Sequence, residues 1–364
     1  MLQKASMLVF VLASIACFVG CGTTANHYVY ATIPAANQLA AFREDPNSGV
    51  LTELDGSPYS VGDGAHSIVI HPSGKFLYVA NPGEGANGED DISLFDIASN
   101  GTLTEIPPRT SLGTTASVPQ VLAMDPAGAY LYSMNAGSNN ISVFSIGTGG
   151  ALTQVSNSPF SVGALPLNIV LAPSGNFLFV STIGEQNGII EAWSVNAGQL
   201  TLVSTIPSQG INPYGLAVNP AGTYVYASNT SSANIAIFSI SSTGVLGDVA
   251  GSPIDDGYAA PQAMIFDPSG NYLYVANQGS NNLTVYSIAS TGLPSALTTS
   301  TSTNAYATQS GPSFIAEDPN GKYLFVGNQG TSATIQPFEL SSGILTGLHF
   351  YNVGNTPSSI AVLQ

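Results

Sequence analysis

The chain has 364 residues, a formal net charge of −16 and only 7% charged residues, while 44% of its residues are hydrophobic. Soluble proteins average about 25% charged residues, so glycine, serine, threonine and asparagine fill most polar positions here. The hydrophobic content excludes a disordered chain. The excess of acidic groups argues against DNA or RNA as a partner, because phosphates repel such a surface.

The N-terminal pattern predicts export. Lys4 precedes an apolar run over residues 7–19, which is too short to span a bilayer comfortably. The run leads into FVGC at residues 18–21, which resembles the lipobox of bacterial lipoproteins. This resemblance implies cleavage before Cys21, lipidation of that cysteine and a place in the cell envelope, either in the periplasm or at the cell surface. An ordinary signal peptide cut near Thr24 is the alternative.

These boundaries divide the chain into three segments. We expect a signal peptide over residues 1–20, a tether over residues 21–26 and one folded domain over residues 27–364. Both cysteines, Cys17 and Cys21, precede the domain, so we expect no disulfide in it. The mature protein is expected to contact the membrane only through its lipid anchor and to be a monomer.

The domain begins with three strand patterns, HYVYAT, QLAAF and VLTEL, between residues 27 and 54. A complete unit follows, with SIVI (67–70), FLYVAN (76–81), ISLFDI (92–97) and TLTEI (102–106). Turn residues separate these short apolar runs, which is typical of strands joined as hairpins. Four such strands predict one antiparallel sheet, or blade.

A four-residue turn with proline second and glycine fourth marks each repeat of this unit. The turn prolines are Pro72, Pro126, Pro173, Pro220, Pro268 and Pro319, separated by 54, 47, 47, 48 and 51 residues. That spacing fits one four-stranded blade per unit. We interpret the carboxylates of Asp125, Asp267 and Asp318, which begin three of these turns, as structural.

The chain ends in residues 357–364, PSSIAVLQ, a first-strand pattern with no turn after it. It supplies the strand that the N-terminal segment lacks, so we predict that the two ends pair and leave no sheet edge open. Six complete units and one split unit predict an all-β fold, a seven-bladed β-propeller of four-stranded antiparallel blades.

Three other recurring features are interpreted as structural. The motif G-S-P or N-S-P follows outer strands and is expected to turn the chain inward. Aromatic residues at one third-strand position are expected to pack between blades. The residues expected to start a loop by bonding to the backbone are Asn81, Asn135, Asn229, Asn277 and Asn328, with Thr182 and Thr32 in the other two blades.

The repeats YLYVANQGSNNLTVYSI (272–288) and FLYVANPG (76–83) resemble the YVTN-type propeller repeat. The chain over residues 27–364 is similar to the lactonase family of seven-bladed propellers, which includes bacterial 6-phosphogluconolactonase. The resemblance implies a lactonase-type hydrolase, that is, a carboxylic ester hydrolase. It also implies a pocket at the mouth of the central channel that contains a histidine, carboxylates and arginines.

In such a ring, the residue that opens each blade's first strand lies at the channel mouth. These opening residues are His66, Gln120, Leu167, Tyr214, Gln262, Ser313 and Ser358. They differ between blades, as an asymmetric ligand requires, although drift at unconstrained positions is the alternative. The predicted ligand contacts are Gln120, Tyr214, Gln262, Ser313 and Ser358.

Two residues carry the predicted chemistry. His66 matches by position the Pro-His element of lactonase relatives, with Ala65 in place of the proline, and it can activate water against a lactone carbonyl. A rim histidine that makes one hydrogen bond is the alternative. Arg109 is the one cation expected near the mouth, as an anion contact. The active relatives use more than one cation, which argues against phosphogluconolactone as the substrate.

Acidic residues are abundant in the loops expected on the same face: Asp63, Glu84, Glu89, Asp90, Asp91, Glu185, Asp255 and Asp256. Carboxylates can bind Ca²⁺, but no loop has the EF-hand pattern, so we interpret the run 89–91 as a solvated tip and predict no metal. The four histidines are too scattered for haem or copper. No nucleophile elbow, zinc-protease motif or phosphate-binding loop is present, so no cofactor is predicted.

Two functional hypotheses remain open. The first is a lactonase-like hydrolase, or a binder of a lactone or sugar acid, with His66 as the base. The second is a non-catalytic propeller that presents its acidic loops to a protein or glycan partner.

Overall fold

The computed structural model describes residues 26–83, 89–183, 187–298, 304–331 and 333–363. Within these ranges, antiparallel strands form seven sheets that are the blades of a ring. The predicted seven-bladed propeller is confirmed. The predicted signal peptide, Cys21, Glu84 and Glu185 lie outside the described residues, so export and lipidation stay predictions.

The strands are numbered in chain order. The N-terminal segment forms β1 (His27–Ile33), β2 (Gln38–Glu44), β3 (Leu51–Glu53) and β4 (Tyr59–Ser60). Blade one contains β5 (Ser67–Ile70), β6 (Phe76–Asn81), β7 (Asp91–Ile97), β8 (Leu103–Glu105) and β9 (Thr110–Ser111). Blade two contains β10 (Pro119–Met124), β11 (Tyr130–Asn135), β12 (Asn140–Ile146), β13 (Leu152–Gln154) and β14 (Phe160–Ser161). Blade three contains β15 (Pro166–Leu171), β16 (Phe177–Thr182), β17 (Ile189–Asn196) and β18 (Gln199–Pro207).

The second half of the ring repeats this order. Blade four contains β19 (Pro213–Val218), β20 (Tyr224–Asn229), β21 (Asn234–Ile240), β22 (Leu246–Asp248) and β23 (Ile254–Asp255). Blade five contains β24 (Pro261–Phe266), β25 (Tyr272–Asn277), β26 (Asn282–Ile288), β27 (Pro294–Ala296) and β28 (Ala305–Ala307). Blade six contains β29 (Pro312–Glu317), β30 (Tyr323–Asn328), β31 (Thr334–Ser341), β32 (Ile344–Gly347) and β33 (Tyr351–Asn352), and the chain ends with β34 (Ser359–Leu363). Two single-turn 3-10 helices, Pro34–Ala36 and Thr148–Gly150, interrupt the strands.

Six of the seven blades have a short fifth strand that the sequence did not predict. The fifth strand pairs with the beginning of the third strand, and the fourth strand pairs with the end of the same third strand. The serine of the predicted turning motif lies between the two: the hydroxyl oxygens of Ser57, Ser158 and Ser252 each accept a third-strand amide. The chain therefore turns inward at this motif, as predicted. In blade three, the nine-residue β18 runs along β17 instead.

The ring closes by pairing the two ends of the chain, as predicted. Strand β34 pairs antiparallel with β1, from Tyr28 opposite Leu363 to Thr32 opposite Ser359. The hydroxyls of Thr32 and Ser358 lie 2.9 Å apart. Ser358 also donates to the carbonyl of His66 at 2.7 Å, so the closing blade is fastened to blade one.

The core lies between the blades. Seven buried apolar clusters each combine residues of two neighbouring blades. The predicted third-strand aromatics are buried in them: Phe95, Phe144, Trp193, Phe238, Tyr286 and Phe338. Second-strand tyrosines add hydrogen bonds across the gap, since the hydroxyls of Tyr30, Tyr78 and Tyr226 donate to a glycine carbonyl of the next blade. Packing between blades therefore takes the place of disulfides.

The asparagines that end second strands have a different role from the one predicted. Their amides bond mainly to side chains of the third strand: Asn135 donates to Asn140 and Ser142, and Asn277 donates to Asn282 and Thr284. They join two strands of one hairpin rather than start a loop. In the closing blade, Ile33 occupies this position and Thr32 lies one residue before it, because Thr32 pairs with Ser359.

A left-handed residue precedes most of the opening positions. In six blades, the residue two before the opening residue has a positive φ, between 53° and 72°: Gly64, Val118, Leu165, Asn212, Ala260 and Gly311. Glycine and asparagine adopt this conformation readily, whereas other residues lose about 1–2 kcal/mol in it. The ring therefore directs each first strand toward the channel even where the residue is unsuited to the turn.

Replacement of Leu165 by asparagine should stabilise the protein. Leu165 has φ 53° and is 56% exposed, so the change relieves backbone strain and loses little apolar burial. We expect the free energy of unfolding in urea to rise by about 1 kcal/mol. The reciprocal variant is Asn212→Leu, at the equivalent position of the next blade, and we expect it to lower that free energy by a similar amount. Two changes of the same sign would contradict this account.

Candidate functional site

The first strands reach the channel mouth through β-bulges. In five blades, the pairing of the first and second strands shifts directly after the opening proline, as between Pro119 and Val121 or between Pro166 and Asn168. A bulge leaves one residue out of the ladder and redirects its side chain. In blades two and three, the opening residue and the residue after it both line a cavity in the channel.

This channel cavity has a volume of about 140 Å³. Five opening residues line it: His66, Gln120, Leu167, Tyr214 and Ser358. The other lining residues are Ser67, Val121, Asn168, Phe314 and Ser359. No lysine or arginine of the described part of the chain lines this cavity. It therefore combines a histidine, amides and hydroxyls with a small apolar surface, and it suits a small polar ligand without a large negative charge.

The position of His66 and the tautomer of its neutral ring are set by its neighbours. Its Nδ1 lies 2.9 Å from the carbonyl oxygen of Gln120, and its own carbonyl accepts the hydroxyl of Ser358. Since a carbonyl only accepts hydrogen bonds, the neutral ring carries its proton on Nδ1 and its lone pair on Nε2. This is the tautomer that a general base in the cavity requires.

Tyr214 supplies a hydroxyl that stays protonated. Burial raises the pKa of the Tyr214 phenol, so this group donates hydrogen bonds at neutral and mildly alkaline pH. The backbone carbonyl oxygen of Tyr214 accepts a hydrogen bond from the side-chain amide of Asn168 at 3.0 Å. Blades three and four are therefore joined at the cavity wall, beside the groups that a ligand carbonyl can contact.

Gln262 and Ser313 do not line the channel cavity, although both were predicted as ligand contacts. The Gln262 amide donates to Gln278 at 2.9 Å, and Gln278 donates in turn to the hydroxyl oxygen of Ser313 at 3.0 Å. Ser313 is 1% exposed. These three side chains join blades five and six, and Phe314 contributes to the cavity instead.

Arg109 lies away from the cavity. Its Nε donates to Glu105 Oε1 at 2.7 Å, between the fourth and fifth strands of blade one. Hydrogen bonding to Glu105 raises the pKa of Arg109. The ion pair holds the guanidinium at the outer part of the blade. Arg109, the predicted anion contact, therefore does not line the cavity.

A larger cavity of about 400 Å³ lies at the other end of the first strands. It is lined by apolar residues of β19 and β24, among them Leu216, Met264 and Phe266, and by the turn prolines Pro173, Pro220 and Pro268. The one ionisable residue in its wall is Asp267. Because it lacks converging polar groups, we take the smaller channel cavity as the candidate site.

Comparison with known proteins agrees with this architecture. A family model described as "Lactonase, 7-bladed beta-propeller" matches residues 23–167, 160–258 and 256–362. The chain belongs to this lactonase family.

Among solved structures, a 6-phosphogluconolactonase described as putative, from Bacteroides fragilis, superimposes with a TM-score of 0.78 at 19% identity, covering 94% of this chain and 99% of that one. The periplasmic gluconolactonase of Pseudomonas aeruginosa gives a TM-score of 0.73 at 19% identity, covering 93% and 99%. At such identities, the likeness establishes the fold. A 6-phosphogluconolactonase of Formosa agariphila is 42% identical over 78 residues, 21% of this chain and 20% of that protein's length.

The residues that sequence reasoning missed, Asn168 and Phe314 above all, come directly after opening residues. In a regular strand successive side chains point to opposite faces, so these two would point away from the channel. The bulge before them changes their orientation, and they line the cavity. A run of apolar residues after X-Pro carries no signal of a bulge.

The part of the chain that the structure describes contains no helix with the length and hydrophobicity that a membrane span requires.

The predicted acidic patch is also altered by burial. Asp91 and Asp256 are 8% and 4% exposed. Asp91 accepts the amide of Asn81, and Asp256 accepts the hydroxyls of Tyr286 and Thr284. Burial raises the pKa of Asp256 to about 6. Asp91 therefore joins two strands of blade one, Asp256 joins blades four and five, and neither carboxylate is presented to a partner.

Asp256 should make stability fall as the pH rises. Its carboxyl holds its proton more tightly in the folded chain than in the unfolded chain, so its contribution is complete below about pH 4 and is lost as the pH rises through about 6. We expect Asp256→Asn to exceed wild type by about 3 kcal/mol in free energy of unfolding at pH 8 and to match it near pH 4. Urea unfolding between pH 4 and 8 measures this. The exposed neighbour Asp255→Asn is the control, and an unchanged difference across the range would refute the prediction.

Proposed function

We propose that this propeller binds and hydrolyses a small, uncharged lactone, such as an unphosphorylated sugar lactone, in the channel cavity. The observation that carries the proposal is His66, which lines the cavity with its Nδ1–H donated to the carbonyl of Gln120. Membership of the lactonase family supports the same reaction class.

The reaction is a water addition in which His66 is the general base. Nε2 takes a proton from water as the water oxygen attacks the lactone carbonyl carbon. The tetrahedral intermediate then collapses, the ring C–O bond breaks, and the proton passes to the departing ring oxygen, which gives a hydroxy acid. Tyr214, with its protonated phenol, and the amides of Gln120 and Asn168 are the donors available to the carbonyl oxygen.

Cavity size and charge narrow the substrate class. A volume of about 140 Å³ is below the range of about 300–1,000 Å³ typical of drug-sized ligands, so it fits one sugar-sized ring. A phosphate needs cationic partners, and no described lysine or arginine lines the cavity. Phosphorylated lactones should therefore be poorer substrates than their unphosphorylated counterparts.

Hydrolysis of a panel of neutral and phosphorylated lactones tests this proposal. We expect turnover of a neutral lactone above the spontaneous rate, and His66→Gln should lower kcat by about 10²–10⁴-fold because a general base contributes that much. The exposed His349→Asn is the matched control and should leave kcat unchanged. Tyr214→Phe should weaken activity less than His66→Gln.

Two results would redirect the proposal. Equal turnover by His66→Gln and wild type removes His66 from catalysis. Absence of turnover with every lactone favours the alternative of a non-catalytic propeller that binds a protein or glycan. We also propose that the protein acts in the cell envelope, on the strength of its N-terminal sequence; recovery of the protein in the cytosolic fraction alone would contradict this.

A further inference from the structure

A second cluster of ionisable side chains lies where blade six meets the closing blade, at the end of the ring that carries the tight turns. It consists of His27 at the start of β1, Glu44 at the end of β2 and Asp318 in the turn after β29. Their exposures are 1%, 0% and 2%. One ligand atom from each residue lies within 4.8 Å of the other two. Three titratable side chains are therefore buried close together.

Glu44 departs from the repeat at a position that is otherwise apolar. The last residue of the third-strand pattern is aliphatic in all six complete blades: Ile97, Ile146, Val195, Ile240, Ile288 and Leu340. In the closing blade, the matching pattern LAAFRE ends in Glu44, opposite His27. A buried carboxyl group in place of an aliphatic side chain is unfavourable unless its oxygens have a hydrogen-bond partner or a ligand. Glu44 therefore needs a ligand or a partner.

The hydrogen bonds of the described chain do not provide that partner. Both carboxylate oxygens of Glu44, and Nδ1 of His27, are buried without a hydrogen bond. His27 Nδ1 lies 3.4 Å from Glu44 Oε2 and 3.6 Å from Asp318 Oδ2, longer than the 2.7–3.2 Å of a good N–H···O bond. Two ligands of a tetrahedral zinc ion, each about 2.0–2.1 Å from the metal, are about 3.3–3.4 Å apart. The two separations around His27 are close to this spacing.

The surrounding groups orient these ligands. Asp318 Oδ1 accepts the backbone amides of Lys322 and Tyr323, and Oδ2 faces His27. On the other side of the imidazole, His27 Nε2 lies 3.1 Å from Asn320 Nδ2. A 180° rotation of this amide exchanges its nitrogen and oxygen, so that Asn320 Oδ1 accepts Nε2–H and the Nδ1 lone pair is left for a metal.

We propose that His27, Glu44 and Asp318 bind one divalent transition-metal ion, with zinc as the preferred ion. The imidazole ligand favours zinc over calcium or magnesium, which prefer all-oxygen sites. Three protein ligands leave the fourth position to water. The ion joins the turn of blade six to two strands of the closing blade, so it fastens the ring and stabilises the folded chain by mass action. This site is separate from the channel cavity and does not depend on lactone hydrolysis.

Zinc titration of the full chain, purified without a histidine tag and stripped with a chelator, tests this site. We expect calorimetry and elemental analysis to give one zinc ion per chain, and zinc to raise Tm. Glu44→Leu restores the aliphatic residue of the other six blades, so it should fold, bind zinc at least about 100-fold more weakly and show a Tm that neither zinc nor chelator changes. Cobalt should give the visible absorption of a low-symmetry N/O site in wild type alone.

Matched controls exclude adventitious binding by the acidic surface. The exposed residues Glu339 and His349 carry the same chemical groups, and Glu339→Gln and His349→Asn should retain full zinc binding. The isosteric Glu44→Gln gives a second test that does not depend on how Glu44→Leu packs. Failure of wild type to take up zinc, or one retained equivalent in Glu44→Gln at unchanged affinity, would overturn the proposal and leave a buried proton-sharing cluster in its place.

Discussion

The pairing of β34 with β1 is the contact on which the rest of the molecule depends. It converts a row of seven similar sheets into a ring without a free edge, and it brings residues from the two ends of the chain into one blade. Each blade buries its apolar faces only against its neighbours, so an open ring would leave two faces uncovered. The described domain contains no cysteine, so ring closure and packing between blades stabilise it without disulfides.

Closure also completes the candidate site. Ser358, which begins the returning segment, donates to the carbonyl of His66, and the next residue, Ser359, lines the channel cavity. His66 is then held from the opposite side by Gln120. The histidine is therefore positioned by the last residues of the chain and by blade two, neither of which is near it in sequence.

The repeated parts of this structure could be predicted from the sequence, and the parts that break the repeat could not. Turn prolines and period-two apolar runs predicted the blades, and the unpaired pattern at 357–364 predicted closure. Side-chain contacts over long sequence separations left no such signal. Gln262 and Ser313 hydrogen-bond to Gln278 and do not line the cavity, and Arg109 forms an ion pair with Glu105 away from it. Bulges add Asn168 to the site, because they change which face a residue occupies without changing the residue pattern.

In a ring of near copies, chemistry is expected where one copy differs. His66 differs from the glutamine, tyrosine, leucine and serine at the other openings, and Glu44 differs from six aliphatic residues. Both departures lie where the closing blade meets a neighbour, His66 at the junction with blade one and Glu44 at the junction with blade six. Part of the acidic character of the loops is structural, since Asp91 accepts a hydrogen bond within blade one and Asp256 accepts one from blade five.

The most direct test of the central claim, that closure of the ring assembles a lactone site around His66, is a crystal structure of the His66→Gln variant soaked with a neutral sugar lactone. The account predicts one lactone in the channel cavity, with its carbonyl oxygen about 3 Å from a donor of Tyr214, Asn168 or Gln120. A lactone bound only at the apolar cavity beside Met264, or an empty channel at a concentration that saturates wild-type turnover, would contradict it.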